Sequence, residues 1–228
     1  MTISERLAAI RRRIENACAR CDRDPNDVRL VAVSKKKPAA DIEQAHRAGQ
    51  QLFGESYVQE LMEKAPLVAA PVEWHFIGGL QSNKVKYLRG RVTLIHSVDR
   101  LSLAREISRQ WQKEASVADI LLQVNLAREE SKRGAAEDEV LELVPQIAEL
   151  PGVRIRGLMT LPPYAENPED VRPYFRRLRR LAEQIAAAGL PGVEMRELSM
   201  GMSHDFETAI EEGATLIRIG TAIFGARN

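Results

Sequence analysis

Hydrophobic positions fall into two patterns that take turns along the chain. Short β-branched and apolar runs predict strands at residues 29–34, 51–54, 72–77, 92–98, 118–125, 153–161, 194–200 and 215–219. Longer stretches with helical spacing predict helices at 38–49, 56–64, 81–88, 100–113, 135–149, 168–188 and 204–212. An amphipathic helix over about residues 3–19 precedes the first strand.

Strict alternation of strands and helices fits two common architectures, an open doubly wound sheet and a closed (β/α)8 barrel. No G-x-G-x-x-G motif follows the first strand, and eight strands favour the closed TIM-type barrel. A chain of 228 residues is little longer than such a barrel. We therefore expect an α/β protein with a single domain spanning 1–228 and an extra N-terminal helix.

The composition mainly excludes certain classes of function. The chain has 33 Lys and Arg against 32 Asp and Glu, so its formal charge of +1 gives no field that would attract nucleic acid. No apolar run approaches the roughly 20 residues of a membrane span, and the charged N-terminus does not resemble a signal peptide. Cys18 and Cys21 form a C-x-x-C at a helix end, without the further ligands or the strand that a zinc or redox site needs. A cytoplasmic location, with neither nucleic acid nor membrane as partner, is expected.

Candidate chemistry begins at Lys35, which ends the first predicted strand and precedes Pro38. An amine held in a partly desolvated strand end has a lowered pKa and can attack a carbonyl, forming a Schiff base. A solvated cluster of Lys35, Lys36 and Lys37 is the alternative interpretation, because lysines prefer the surface.

The last two predicted loops have the composition of a phosphate site. Gly201 and Gly220 allow close approach of backbone to an anion, and hydroxyls stand nearby at Ser199, Ser203 and Thr221. The loops after strands seven and eight hold phosphate in many barrels of this kind. Helix capping explains any one of the hydroxyls, although not two such loops on neighbouring strands. An amine beside a phosphate cradle predicts a site for pyridoxal 5′-phosphate (PLP), a phosphorylated aldehyde.

Six segments carry a resemblance to a known family. They read LVAVSKKKP, FGESYVQE, EWHFIGGLQSNK, IRGLMTL, LSMGMSHDFETAI and IRIGTAIFGARN, and they cover nearly the whole chain in order. The chain resembles the pyridoxal phosphate homeostasis protein family. That resemblance implies a PLP fold-type III barrel, similar to the N-terminal domain of alanine racemase, with PLP held as an internal aldimine.

The resemblance also implies roles for individual residues. Lys35 is the Schiff-base lysine, and Arg218 approaches the pyridine nitrogen. The remaining cofactor-binding residues that we predict from the motifs and the phosphate loops are Ser56, His75, Asn83, Ser199, Gly201, Met202, Ser203, Gly220 and Thr221. Ser56 stands where many members have Asn, so a contact with the ring hydroxyl is expected to be lost or relayed by water. Lys132 matches a family lysine that could hand PLP on by transimination, or it is an exposed surface lysine.

The predicted function is intracellular PLP homeostasis, by buffering or delivering the cofactor without catalytic turnover and with PLP-dependent apo-enzymes as partners. The alternative is a PLP-dependent amino-acid racemase or related fold-type III enzyme, for which Tyr57, His75 or His204 would supply the second acid/base group. The chain stops after the eighth βα unit, where racemases continue into a β-domain, and we therefore expect a monomer. A barrel aldolase using Lys35 on a sugar phosphate is the third interpretation.

Overall fold

The computed structural model describes residues 1–128 and 133–225. Over these residues eight parallel strands pair in chain order, and β8 pairs with β1 to close the barrel. The strands are β1 (Arg29–Val33), β2 (Leu52–Glu55), β3 (Glu73–Phe76), β4 (Leu94–Val98), β5 (Ala118–Val124), β6 (Val153–Thr160), β7 (Val193–Ser199) and β8 (Leu216–Ile219). The closed barrel predicted from the sequence is confirmed.

Helices surround the barrel and connect its strands. They are α1 (Ile3–Arg20), α2 (Ala39–Arg47), α3 (Val58–Lys64), α4 (Leu101–Trp111), α5 (Glu137–Ala148), α6 (Arg172–Ala187), α7 (Phe206–Glu211) and α8 (Thr221–Phe224). The apolar stripe of each helix packs on outward-facing strand residues, which accounts for most of the buried hydrophobic side chains. Along the described ranges, no helix combines the length and the apolar character needed to cross a membrane.

The extra N-terminal helix is present as predicted. Thr2 caps it, because its hydroxyl accepts from the Glu5 amide while the Glu5 carboxylate accepts from the Thr2 amide. Its apolar side carries Leu7, Ile10 and Ile14 into the core, and the helix packs against α7, α8 and α2.

One predicted helix is wrong in type. Residues 81–88 form no α-helix, and the segment Ser82–Tyr87 is a 3-10 helix instead. The Lys84 amide donates to the Gln81 carbonyl and the Leu88 amide to the Val85 carbonyl, the three-residue spacing of that conformation. The segment is short, and no side chain caps it at Gln81, so little stabilises an α-helix here. The spacing of hydrophobic residues does not reveal the lack of a cap.

The barrel interior contains both apolar and polar layers. Six buried apolar residues form a separate cluster there, namely Val31, Leu52, Leu94, Leu121, Met159 and Leu216. At the amino ends of the strands, charged side chains including Arg29, Glu73 and Glu197 line a cavity of about 220 Å³. The carboxyl ends hold the candidate site, as expected for this architecture.

Candidate functional site at the carboxyl ends of the strands

Two adjoining cavities open at the carboxyl end of the barrel. The Arg218 cavity, of about 290 Å³, is lined by Val33, Lys35, Ser56, Ile77, Leu161, Met202, Ser203, His204, Arg218, Gly220 and Thr221. The Arg133 cavity, of about 350 Å³, is lined by Lys35, Ser56, Tyr57, Ile77, Gly78, Gly79, Gln123, Arg133 and Leu161. Lys35 and Ser56 border both. The predicted Schiff-base lysine therefore lies at the junction of two cavities and is half-buried.

The position of Lys35 follows from strand geometry. Side chains alternate between the two faces of a strand, so Lys35 shares the barrel side of Val31 and Val33. Ser34 points the other way and is fully buried. Lys36 follows in the left-handed region, with φ of +59°, which turns the backbone away from the barrel.

A buried ion pair behind the strand holds this turn. The Lys64 ammonium donates to Glu55 Oε1 at 2.7 Å, to the Ser34 carbonyl at 2.8 Å and to Glu60 Oε1 at 2.6 Å. The Ser34 hydroxyl also donates to Glu55 Oε1, at 2.7 Å. The Lys36 amide donates to Glu60 at 2.5 Å. The backbone on both sides of Lys35 is thus bonded to one charged cluster.

Glu55 is the centre of that cluster and is fully buried. Burial raises its pKa, and the hydrogen bond from Lys64 opposes the rise. Its second oxygen, Oε2, has no hydrogen-bond partner among the described residues. The carboxylate consequently depends on Lys64 for compensation of its charge.

Arg218 supplies the buried cation of the site. It extends from β8, is 4% exposed, and donates to Ser199 Oγ at 2.5 Å and to the Thr160 carbonyl at 2.9 Å. Burial lowers its pKa to about 10, an effect that the nearby Asp205 carboxylate opposes. The guanidinium therefore remains charged at neutral pH.

The predicted phosphate loops lie at one side of the Arg218 cavity. Ser203, Gly220 and Thr221 line it, and the Thr221 and Ser203 hydroxyl oxygens are 3.4 Å apart. Met202 also lines this cavity, and its amide donates to the buried Asp205 carboxylate at 2.6 Å. Hydroxyls on neighbouring loops can converge on one anion.

Gly201 has a packing reason of its own. Its φ is +88°, and an added Cβ would lie 2.6 Å from Ala209 Cβ and 3.0 Å from Phe206 Cα. Gly201 is not one of the residues that line the Arg218 cavity. The glycine that the sequence suggested for an anion is needed to bring the loop close to α7.

Besides Gly201, three further predicted site residues do not line either cavity. The Ser199 side chain is fully buried, and its hydroxyl is hydrogen-bonded to His96 and Arg218 in the barrel interior. His75 lies in the barrel interior against Glu73 and His96, toward the amino ends of the strands. Asn83 is exposed on the 3-10 segment after β3 and lines neither cavity. The sequence identifies strand ends, but it does not give the depth of a side chain within the barrel.

Several polar residues of the site were missed by sequence reasoning. Glu55, Lys64 and His96 are buried polar groups. Glu55 and Lys64 bond to Ser34, the residue before Lys35. His96 bonds to Ser199, which is a partner of Arg218. Arg133 borders the cavity beside Lys35. The sequence offered one signal for these residues, namely a charged or imidazole side chain within or next to a strand predicted to be buried, as at Glu55 and His96. The predicted Lys132 lies outside the described residues.

The sequence of this chain is similar to known proteins along its whole length. The family model described as the alanine racemase N-terminal domain matches residues 6–228. A pyridoxal phosphate homeostasis protein of Aquifex aeolicus is 49% identical over 228 residues, covering 100% of this chain and 99% of that protein. The chain belongs to the pyridoxal phosphate homeostasis protein family. The same-named protein of Escherichia coli K12 is 43% identical, covering 99% of this chain and 97% of its own. The predicted family is confirmed.

Solved structures of similar proteins have the same architecture. PipY of Synechococcus elongatus, whose structure has PLP bound, superposes with a TM-score of 0.86 at 36% identity, covering 98% of this chain and 100% of its own. Alanine racemase of Clostridium difficile superposes with a TM-score of 0.76 at 12% identity and covers 99% of this chain and 56% of its own. That second similarity concerns the barrel fold, and it confirms the predicted likeness to alanine racemase.

Proposed function

We propose that this protein binds PLP through Lys35 in the Arg218 cavity and serves intracellular PLP homeostasis. The observation that carries the proposal is that Lys35 and the buried Arg218 line one cavity at the carboxyl ends of neighbouring strands. Full-length relatives named for PLP homeostasis and the PLP-bound structure of PipY support it.

The residues present fit the chemical groups of PLP. Lys35 offers an amine for the aldehyde, and Arg218 offers a cationic donor for the pyridine nitrogen. Ser203 and Thr221 offer hydroxyls for the phosphate beside Gly220, whose lack of a side chain leaves the backbone accessible. Ser56 borders the cavity beside Lys35, where a short side chain leaves room for water.

Bound PLP would supply an aldehyde that attaches to Lys35 with loss of one water molecule, and a ring that withdraws electrons. Arg218 would donate a hydrogen bond to the ring nitrogen and, being cationic, would keep that nitrogen unprotonated. A nitrogen without a proton makes the ring a weaker electron sink than one paired with a carboxylic acid. The site is therefore better suited to holding the cofactor than to carbanion chemistry.

We infer storage and delivery to apo-enzymes rather than turnover. His75, one candidate for a second acid/base group, lies in the barrel interior. His204 reaches the Arg218 cavity, although its Nε2 is bonded to the Glu166 carbonyl at 2.8 Å. Tyr57 borders the Arg133 cavity and is 52% exposed. The second candidate function is a fold-type III amino-acid enzyme. The position of Tyr57, which lines a cavity together with Lys35, favours this candidate.

Domain organisation, oligomeric state and location enter the proposal as well. We infer one PLP-binding barrel domain over 1–228 that acts as a monomer in the cytoplasm. The near-neutral formal charge of +1 supports the expectation that nucleic acid is not a partner. Light scattering at two protein concentrations would test the monomer.

The test is a PLP titration of the wild-type protein, Lys35→Ala and the control Lys36→Ala, which changes an exposed neighbour. The wild type and the control are expected to gain the visible absorption of lysine-bound PLP, and Lys35→Ala is expected to gain none. Alanine enantiomers then test for turnover, and an apo-aminotransferase tests for delivery. Racemisation proportional to bound PLP, lost in Tyr57→Phe, would replace the storage proposal by the enzyme. A wild type without absorption would overturn PLP binding altogether.

A further inference from the structure

A line of five hydrogen-bonded side chains crosses the barrel interior. Starting in the Arg218 cavity, Arg218 Nη1 is 2.5 Å from Ser199 Oγ, and Ser199 Oγ is 2.9 Å from His96 Nδ1. His96 Nε2 is 2.9 Å from His75 Nδ1. His75 Nε2 is 3.1 Å from Glu73 Oε1 at the amino-end cavity. We call these five residues the interior chain.

The two ends of the interior chain, together with the neutrality of its two imidazoles, fix the direction of every bond. A guanidinium can only donate, and an ionised carboxylate can only accept. The hydrogen bond from His75 lowers the pKa of Glu73 to about 2, so this carboxylate is ionised at neutral pH. Arg218 must therefore donate to Ser199, which leaves the Ser199 hydroxyl proton for His96 Nδ1. His96 in turn donates from Nε2 to His75, and His75 donates from Nε2 to Glu73.

Both histidines are neutral in this arrangement, with the proton on Nε2. Burial lowers the pKa of His75 and also that of His96, which is fully buried. Neutral imidazoles are the species that the bonding order requires, since each must accept at Nδ1. The protonation states and the geometry thus agree along the whole chain.

The interior chain places polar side chains where apolar side chains would pack without needing hydrogen-bond partners. Elsewhere the barrel interior is filled by apolar side chains such as Val31, Leu94 and Leu216, which need no partners. Two imidazoles and a hydroxyl in the same interior lose hydration, and only a fully bonded arrangement compensates for that loss. The arrangement ends on the guanidinium that borders the cofactor cavity.

We propose that the interior chain positions Arg218 toward the bound cofactor, with His96 and Ser199 as positioning residues. The inference rests on the proposed function. The chain holds Nη1 on Ser199 while the Thr160 carbonyl holds Nη2, which fixes the plane of the guanidinium. The same bonds stabilise its positive charge through neutral dipoles that end at the Glu73 carboxylate. The orientation and charge at the ring nitrogen are therefore set from the opposite end of the barrel.

The test compares the wild type with His96→Phe, His96→Gln and Ser199→Ala. His96→Phe removes both bonds of the imidazole, whereas glutamine retains one donor and one acceptor and serves as the conservative control. PLP dissociation constants and the pH profile of the visible absorption are measured for each. We expect ~10-fold weaker binding and a shifted pH profile in His96→Phe and Ser199→Ala, and near wild-type values in His96→Gln. The double variant His96→Phe/Ser199→Ala should be no worse than either single one, because both break the same chain.

The outcomes separate this inference from the proposed function. A folded His96→Phe that binds PLP and absorbs as the wild type does would overturn the interior chain alone. If His96→Phe does not fold, Ser199→Ala, which removes one hydroxyl, decides the question by the same readouts. A wild type that takes up no PLP overturns both proposals. Nitrogen-15 NMR of the cofactor-free wild type at pH 7 is expected to show His75 and His96 neutral with the proton on Nε2, and a charged ring would overturn the bonding direction.

Discussion

Replacing Lys64 by methionine tests how the site holds its lysine. The substitution keeps the length of the side chain and removes the ammonium group that bonds Glu55, Glu60 and the Ser34 carbonyl. Glu55, which is fully buried, would then keep the Ser34 hydroxyl as its partner within the cluster. The turn that carries Lys35 would lose its central bond.

The magnitude follows from the burial of both partners. Removing one member of a buried ion pair costs about 3–5 kcal/mol, because the other charge stays uncompensated. Glu55 already has a raised pKa and can take up a proton, so we expect the lower end, about 3 kcal/mol. For a chain of this size each kcal/mol corresponds to about 2–4 °C, which gives a melting temperature lower by roughly 6–12 °C.

The assay is urea unfolding at pH 7.5, with calorimetry as a second measure. The control is Lys86→Met at an exposed lysine, for which a change within about 0.5 kcal/mol is expected. Lys64→Met/Glu55→Gln should regain about 1 kcal/mol or more over Lys64→Met, because the buried Glu55 carboxylate that lost its ammonium partner is then a neutral amide. A loss below about 1 kcal/mol in Lys64→Met, or a double variant no more stable than the single one, would refute the reasoning.

Two further predictions concern the barrel itself. Gly157→Ala is expected to destabilise by about 3 kcal/mol or more in urea unfolding, because its Cβ would lie 1.8 Å from the Glu197 carbonyl oxygen. Gly90→Ala, also at positive φ but in open space, should cost only about 1 kcal/mol, and equal losses would contradict the steric argument. Acidification from pH 6.5 to 5 should lower the free energy of unfolding, because His75 and His96 have lowered pKa values and take up protons in the unfolded chain first. His96→Gln should reduce that slope, and an unchanged slope would contradict the assignment of His96 as buried and neutral.

Much of the fold could be predicted because strand and helix periods differ. The run 29–34 closely matches β1 (Arg29–Val33), and 153–161 matches β6 (Val153–Thr160), since short apolar segments that contain β-branched residues are typical of buried strands. The 3-10 segment Ser82–Tyr87 could not be told from an α-helix, because both place apolar residues three to four positions apart. The short α8 (Thr221–Phe224) was missed, since four residues give too few repeats for a helical pattern.

The site was predicted in part for a similar reason. Lys35 and Arg218 are found together because the carboxyl ends of parallel strands meet at one end of a barrel. The assignment of Ser199 to phosphate is not supported, because closure of the barrel places this side chain between Arg218 and His96. Contacts between β4 and β7 across the interior depend on strand tilt and register, which a single sequence does not reveal.

The central claim, that Lys35 carries PLP, is tested most directly by reductive trapping. Protein incubated with PLP is reduced with borohydride, digested, and analysed by tandem mass spectrometry, with Lys36 and Lys37 as internal controls on the same peptide segment. The account predicts one pyridoxyl group, on Lys35. Modification spread over the three lysines, or located on another lysine while Lys35 stays unmodified, would contradict it.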